Sequence, residues 1–151
     1  MPTNLVPVEH FPQIQKAGCL AAVAQMSLYH LGISVPQTTL YRLFGTGFIG
    51  ALLFDLARIE RYGVRVTFGD NDEFVLFRHL SAGQPVVVFV WTGELPYWGE
   101  STRHALLVVG YDNEFFYVND PAFPDAPLPV SQGDLFLAWL EFDYFYAIVT
   151  R

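Results

Sequence analysis

The chain changes texture about halfway along, and that change restricts its fold more than any other feature of the sequence. Residues 20–31 are rich in Ala, Leu and Met and stop at Gly32, which predicts a helix carrying Cys19 at its first turn. Residues 38–44 after Pro36 read as a short second helix. Residues 50–62 read as a third, with Leu52, Leu53, Leu56 and Ile59 on one side and Gly63 as its stop. Beyond this point the chain turns to β-branched and aromatic runs at 64–68, 86–91, 104–111, 115–119 and 142–150, five strand candidates. Residues 73–80 read as a helix feeding the second of them, and Ser131 with Asp134 offers a helix start ahead of residues 135–140. Asp112-Asn113 is a hairpin turn candidate. Helices first and strands later predict an α+β fold, N-terminal helices packed on a mainly antiparallel sheet. The first eighteen residues, with Pro2, Pro7 and Pro12, look extended, and Pro121, Pro124, Pro127 and Pro129 mark a loop inside the pattern.

A length of 151 residues fits a single domain, since domains commonly hold about 100–150 residues. With 52% hydrophobic and only 15% charged residues, disorder is excluded; a sparsely charged surface with apolar patches, and self-association through them, is expected. The formal charge of −7 and the scattering of the basic residues argue against nucleic acid as a partner. No apolar run approaches the roughly 20 residues of a membrane helix, and the N-terminus lacks the build of a signal peptide, so a cytoplasmic chain is expected. One cysteine forbids an internal disulfide and leaves Cys19 as a lone thiol.

Four residues stand out as candidates for chemistry. Cys19 sits where the positive end of a helix dipole lowers a thiol pKa, although a lone cysteine ahead of Leu-Ala-Ala-Val-Ala, taken by itself, reads more readily as a buried structural residue. His104 opens an apolar strand at the rim of the sheet, where its side chain can face a cleft. Asp120 ends the next strand and is stiffened by Pro121, although Asp-Pro also simply makes turns. If the hairpin turn is centred between residues 112 and 113, positions 104 and 120 are near-mirror positions, and the carboxylate can accept a hydrogen bond from the imidazole. Gln13, six residues before Cys19, offers an amide that can join the Cys19 backbone N–H in holding an oxyanion, with Gln15 as its competitor. His10, His30 and His79 show no short metal-ligand spacing with each other or with Cys19, so neither a metal nor a cofactor is expected.

In combination, residues 13–22 (Q-I-Q-K-A-G-C-L-A-A), Met26, Gly32, residues 83–87 (G-Q-P-V-V), residues 104–111 (H-A-L-L-V-V-G-Y) and residues 118–121 (V-N-D-P) resemble the papain-like cysteine peptidases. Within them the sequence is most similar to cysteine peptidase family thirty-nine, which trims double-glycine leaders from bacteriocin precursors, and to its stand-alone relatives. The resemblance runs from Gln13 to about Thr150. It implies a papain-like fold in which Cys19 is the nucleophile, His104 the general acid/base, Asp120 the orienting carboxylate and Gln13 the oxyanion donor. The implied activity is hydrolysis of an amide in a peptide or protein substrate; acyl transfer uses the same machinery. A non-catalytic peptide-binding module on the same fold is the alternative, with Tyr97 and Trp98 of loop 92–103 as aromatic anchors. The chain departs from the family in carrying Leu20 where glycine usually follows the cysteine, a side chain expected to narrow the cleft.

Overall fold

The computed structural model describes residues 4–45 and 53–151. Among them, seven strands form one sheet in which every pairing is antiparallel. In chain order the elements are β1 (Asn4–Leu5), α1 (Cys19–His30), α2 (Gln37–Leu43), a 3₁₀ helix (Leu53–Tyr62), β2 (Arg65–Gly69), α3 (Val75–Ser81), β3 (Val86–Trp91), β4 (Arg103–Tyr111), β5 (Phe115–Asn119), β6 (Leu128–Ser131), α4 (Gln132–Leu140) and β7 (Tyr146–Thr150). The strands lie in the order β2-β7-β3-β4-β5-β6, with β1 paired to the far end of β4.

The central strands read as unbroken apolar runs because both of their faces are covered. Val87, Phe89, Ala105, Leu107 and Val109 face α1, α2 and the 3₁₀ helix. Val86, Val88, Val90, Leu106 and Val108 face α3 and α4, where Trp139, Leu135, Leu76 and Leu80 close a second core. The alanines of α1, with Ala21, Ala22 and Ala24 fully buried, keep that helix close to the sheet. Leu20 is 3% exposed and belongs to this core, so it does not narrow the cleft beside Cys19.

Three expectations are modified. Of the third predicted helix, Gly50, Ala51 and Leu52 lie outside the described residues, and Leu53–Tyr62 is a 3₁₀ helix. Its apolar residues Leu53, Leu56, Ile59 and Tyr62 recur every third position, which stacks them on one ridge of a helix with three residues per turn. The loop marked by prolines contains a strand: β6 is the sheet edge and, among the described residues, pairs only with β5, so Pro129 is tolerated opposite Tyr117. The last strand begins at Tyr146, not at residue 142, because the chain reverses straight after α4 through Asp143 and Tyr144, both in the left-handed region. At the other end, β1 needs Gly110: a Cβ there would lie 2.5 Å from the Asn4 carbonyl oxygen. Beside that close approach the β4–β5 register shifts between Val108 and Gly110.

Candidate active site

The helix that carries Cys19 starts without a side-chain cap and without an acidic residue in its first turn, which leaves its positive end to the thiol. The bend before it is tight. Gly18 donates its N–H to Gln15 O, and a Cβ on Gly18 would sit 2.9 Å from that same oxygen, so glycine is required there. Cys19 is half-buried, with the His104 side chain and the backbone N–H groups of Ala105 and Leu20 close enough to its sulfur to favour the charged form.

His104 is buried near the start of β4, opposite Val90 of β3. Its Nε2–H donates to Asp120 Oδ1 at 2.6 Å, which leaves Nδ1 as the ring nitrogen for Cys19. The route by which Asp120 reaches it differs from the mirror positions expected. The turn spans Asp112–Phe115, with Asp112 Oδ1 accepting from the N–H groups of Glu114 and Phe115, and Leu107 faces Asn119. One residue further along each strand, Asp120 falls level with Leu106. It therefore meets His104 as a diagonal neighbour on the same face, two residues along β4, within the usual reach of such pairs.

Asp120 is completely buried. Its Oδ1 also accepts from the Ala122 N–H at 3.0 Å, and its Oδ2 accepts from the Tyr97 hydroxyl at 2.7 Å and from Trp98 Nε1–H at 2.9 Å. The Trp98 ring packs T-shaped on the His104 ring, centroids 4.8 Å apart. Tyr97 and Trp98 thus turn their polar ends inward onto Asp120, a placement that reading the loop as a pair of peptide anchors did not give. Only the Tyr-Trp pair ahead of His104 hinted at it.

The electrostatics follow from these contacts. Burial pushes the Cys19 thiol up, but the hydrogen bond and charge of His104, with the N–H groups of Ala105 and Leu20, outweigh it and hold the thiol below its ordinary value. Burial pushes His104 down, yet the hydrogen bonds and charges of Asp120 and Cys19 raise it to about 9. For Asp120, burial raises the carboxyl, and His104, Tyr97 and the Ala122 N–H more than reverse that. The three groups titrate as a unit, and their contacts shift it towards thiolate, imidazolium and carboxylate. Burial and Asp120 raise the Tyr97 phenol, which stays a protonated donor.

Gln13 stands beside this array without sharing its hydrogen bonds. Its backbone N–H donates to Pro121 O at 2.7 Å, next to Asp120, and its Cβ would be 3.7 Å from a Cβ on Gly18. Its amide Nε2 donates to Lys16 O at 2.8 Å and to Gln15 O at 3.2 Å. The N-terminal segment is tied to the Asp120 loop again by His10 Nε2–H on Phe123 O and Asn119 Nδ2–H on Val8 O. Among the described residues, no helix is long and apolar enough to cross a membrane.

Three solved structures share this architecture nearly end to end. A protein from Bacillus anthracis described as a C39-like peptidase superposes with a TM-score of 0.80 at 18% identity, covering 100% of this chain and 98% of that one. The peptidase domain of Streptococcus ComA, a bi-functional ABC transporter of a quorum sensing pathway, gives 0.78 at 20% identity, covering 94% and 97%. A double glycine motif protease from an AMS/PCAT transporter, solved with its leader peptide, gives 0.76 at 16%, covering 98% and 94%. No curated protein sequence matches the chain. The model of the Peptidase_C39-like family matches residues 6–134, which spans the thiol, the imidazole and the carboxylate described above, and the chain belongs to that family.

Proposed function

We propose that the protein is a cysteine peptidase that cleaves an amide bond in a peptide substrate, with Cys19 as nucleophile, His104 as general acid/base and Asp120 as the orienting carboxylate. The observation that carries the reading is the His104 imidazole, hydrogen-bonded to Asp120 and set close to the Cys19 thiol at the N-terminus of α1. The Cys19 thiolate attacks the carbonyl carbon, and the electron pair moves to the oxygen. The His104 imidazolium then gives its proton to the leaving amine as the C–N bond breaks, leaving a thioester on Cys19. Neutral His104 next takes a proton from water, whose oxygen attacks the thioester, freeing the carboxylic acid and restoring the Cys19 thiolate beside the His104 imidazolium. The Cys19 backbone N–H at the helix start is one donor for the oxyanion.

Gln13 is the proposed second donor. Engaging a substrate requires its amide to give up a backbone bond, and the 3.2 Å contact to Gln15 O is the weaker of the two. Gln13→Ala is expected to lower kcat roughly 100-fold, the effect of losing one oxyanion donor, with KM little changed. A loss of thermal stability with kcat intact would instead make Gln13 a brace for the bend before Cys19.

The peptidase reading is tested by incubating the wild-type protein and Cys19→Ala with a complex mixture of tryptic peptides in H₂¹⁸O. New C-termini carrying ¹⁸O are expected with wild type and absent with Cys19→Ala. Identical peptide sets from the two proteins would contradict hydrolysis. Products that form only when an amine is added, without ¹⁸O, would assign the same thiol to acyl transfer.

A further inference from the structure

We propose that Tyr97 and Trp98 are positioning residues of this site, a two-donor clamp that fixes the Asp120 carboxylate so that its other oxygen is aimed at His104. The proposal rests on the reading of Cys19, His104 and Asp120 as a working array. Ordinary loop packing accounts for the contacts of both rings with Phe123, at 5.1 and 5.4 Å between centroids. It does not account for the convergence of a hydroxyl and an indole N–H on the same oxygen, Asp120 Oδ2.

An ionised carboxylate has about four acceptor positions, and in Asp120 the protein fills them in pairs. His104 and the Ala122 N–H take Oδ1, and Tyr97 and Trp98 take Oδ2. With the residue fully buried, an Oδ2 stripped of its donors would bind a proton or swing towards another donor, and either change weakens the bond to His104. Trp98 adds a second effect, since its ring lies against the imidazole and keeps water off that side.

The loop that presents the pair is itself held at its base. Thr92 is fully buried; its Oγ1 donates to Glu100 O and accepts from the Thr102 N–H, and its backbone N–H donates to Thr102 O. Within the loop, Leu95 is 2% exposed and its carbonyl accepts from the Trp98 N–H. The clamp is therefore carried by a closed, anchored loop and not by a free tip.

The titratable side chains that meet at this point are Cys19 from α1, His104 from β4, Asp120 from the end of β5 and Tyr97 from the loop. Loosening Asp120 stabilises the imidazolium less, so less thiolate is present at a given pH and the low-pH onset of thiol reactivity moves upward. The test is the pH profile of iodoacetamide labelling of Cys19, read by intact mass, in wild type, Tyr97→Phe, Trp98→Phe and the double variant. Each single variant keeps an aromatic ring in place and removes one donor. Each is expected to label roughly tenfold more slowly at pH 6, the effect of a hydrogen bond to a charged group, and the double variant more slowly again. All are expected to converge with wild type near pH 10, where any thiol ionises. A general loosening of the loop would change the rate by the same factor at every pH.

Profiles superimposable on wild type, or displaced by one constant factor, would overturn the clamp. If Trp98→Phe fails to fold, Tyr97→Phe carries the test, since it loses a single hydroxyl. The underlying site reading fails separately: a wild-type profile like that of a free thiol overturns both, whereas a low onset abolished by His104→Ala but untouched by the clamp variants overturns the clamp alone.

Discussion

Asp120→Asn is expected to lower kcat roughly 100-fold while leaving KM near its wild-type value, because the carboxylate acts on the His104 imidazolium and not on bound substrate. The size of the effect follows from the surroundings of the residue. Ala122 N–H on Oδ1 and Trp98 Nε1–H on Oδ2 are fixed donors with no acceptor capacity. Whichever way the asparagine amide is turned, its NH₂ faces one of them. A buried donor–donor mismatch costs about 1–3 kcal/mol, so the variant should also melt earlier. The amide removes the charged Asp120 acceptor that, together with Cys19, holds His104 raised to about 9. Steady-state kinetics at neutral pH, on a substrate found in the peptide mixture, checks the kcat and KM split. Full turnover in Asp120→Asn would reduce Asp120 to a turn residue.

What could be read from the sequence followed how local the causes were. Residues 86–91 and 115–119 were expected as strands and are β3 and β5 with those bounds, because runs of Val, Phe and Tyr covered on both faces need no distant information to be recognised. The helix behind Cys19 was equally legible from its Ala-rich composition and its stop at Gly32. The register of the central hairpin was not. It depends on the shift between Val108 and Gly110, next to where β1 lies against β4, more than a hundred residues away in sequence. His104 and Asp120 nevertheless meet, since displacement by two residues keeps a side chain on the same face of a sheet. A displacement by one would have separated them.

The same distinction applies at the site. Cys19, His104 and Asp120 could be singled out because each marks the end of an element, a helix start, a strand start and a strand end. Tyr97 and Trp98 lie in a loop whose path is set by the buried Thr92, and nothing in their spacing indicates that their polar ends point at a carboxylate. Gln13 shows the opposite limit. Its separation from Cys19 is legible, but its amide is turned towards the carbonyls of Gln15 and Lys16, and only the folded bend reveals that.

The central claim is that Cys19 is ionised near neutral pH because His104 holds the matching proton. The most direct measurement is the rate of iodoacetamide labelling of native protein against pH, in wild type and His104→Ala, with the single cysteine making the adduct unambiguous by intact mass. With His104 present, the lowered thiol should label readily at pH 7, its onset lying well below the 8.5 or so of a free thiol. Removing the imidazole leaves burial, which raises the thiol, opposed only by the N–H groups of Ala105 and Leu20. The onset in His104→Ala should therefore move up by about 2 pH units or more, a rate loss of roughly 100-fold at pH 7. No labelling of wild type at pH 7, or the same profile in both proteins, would contradict the account.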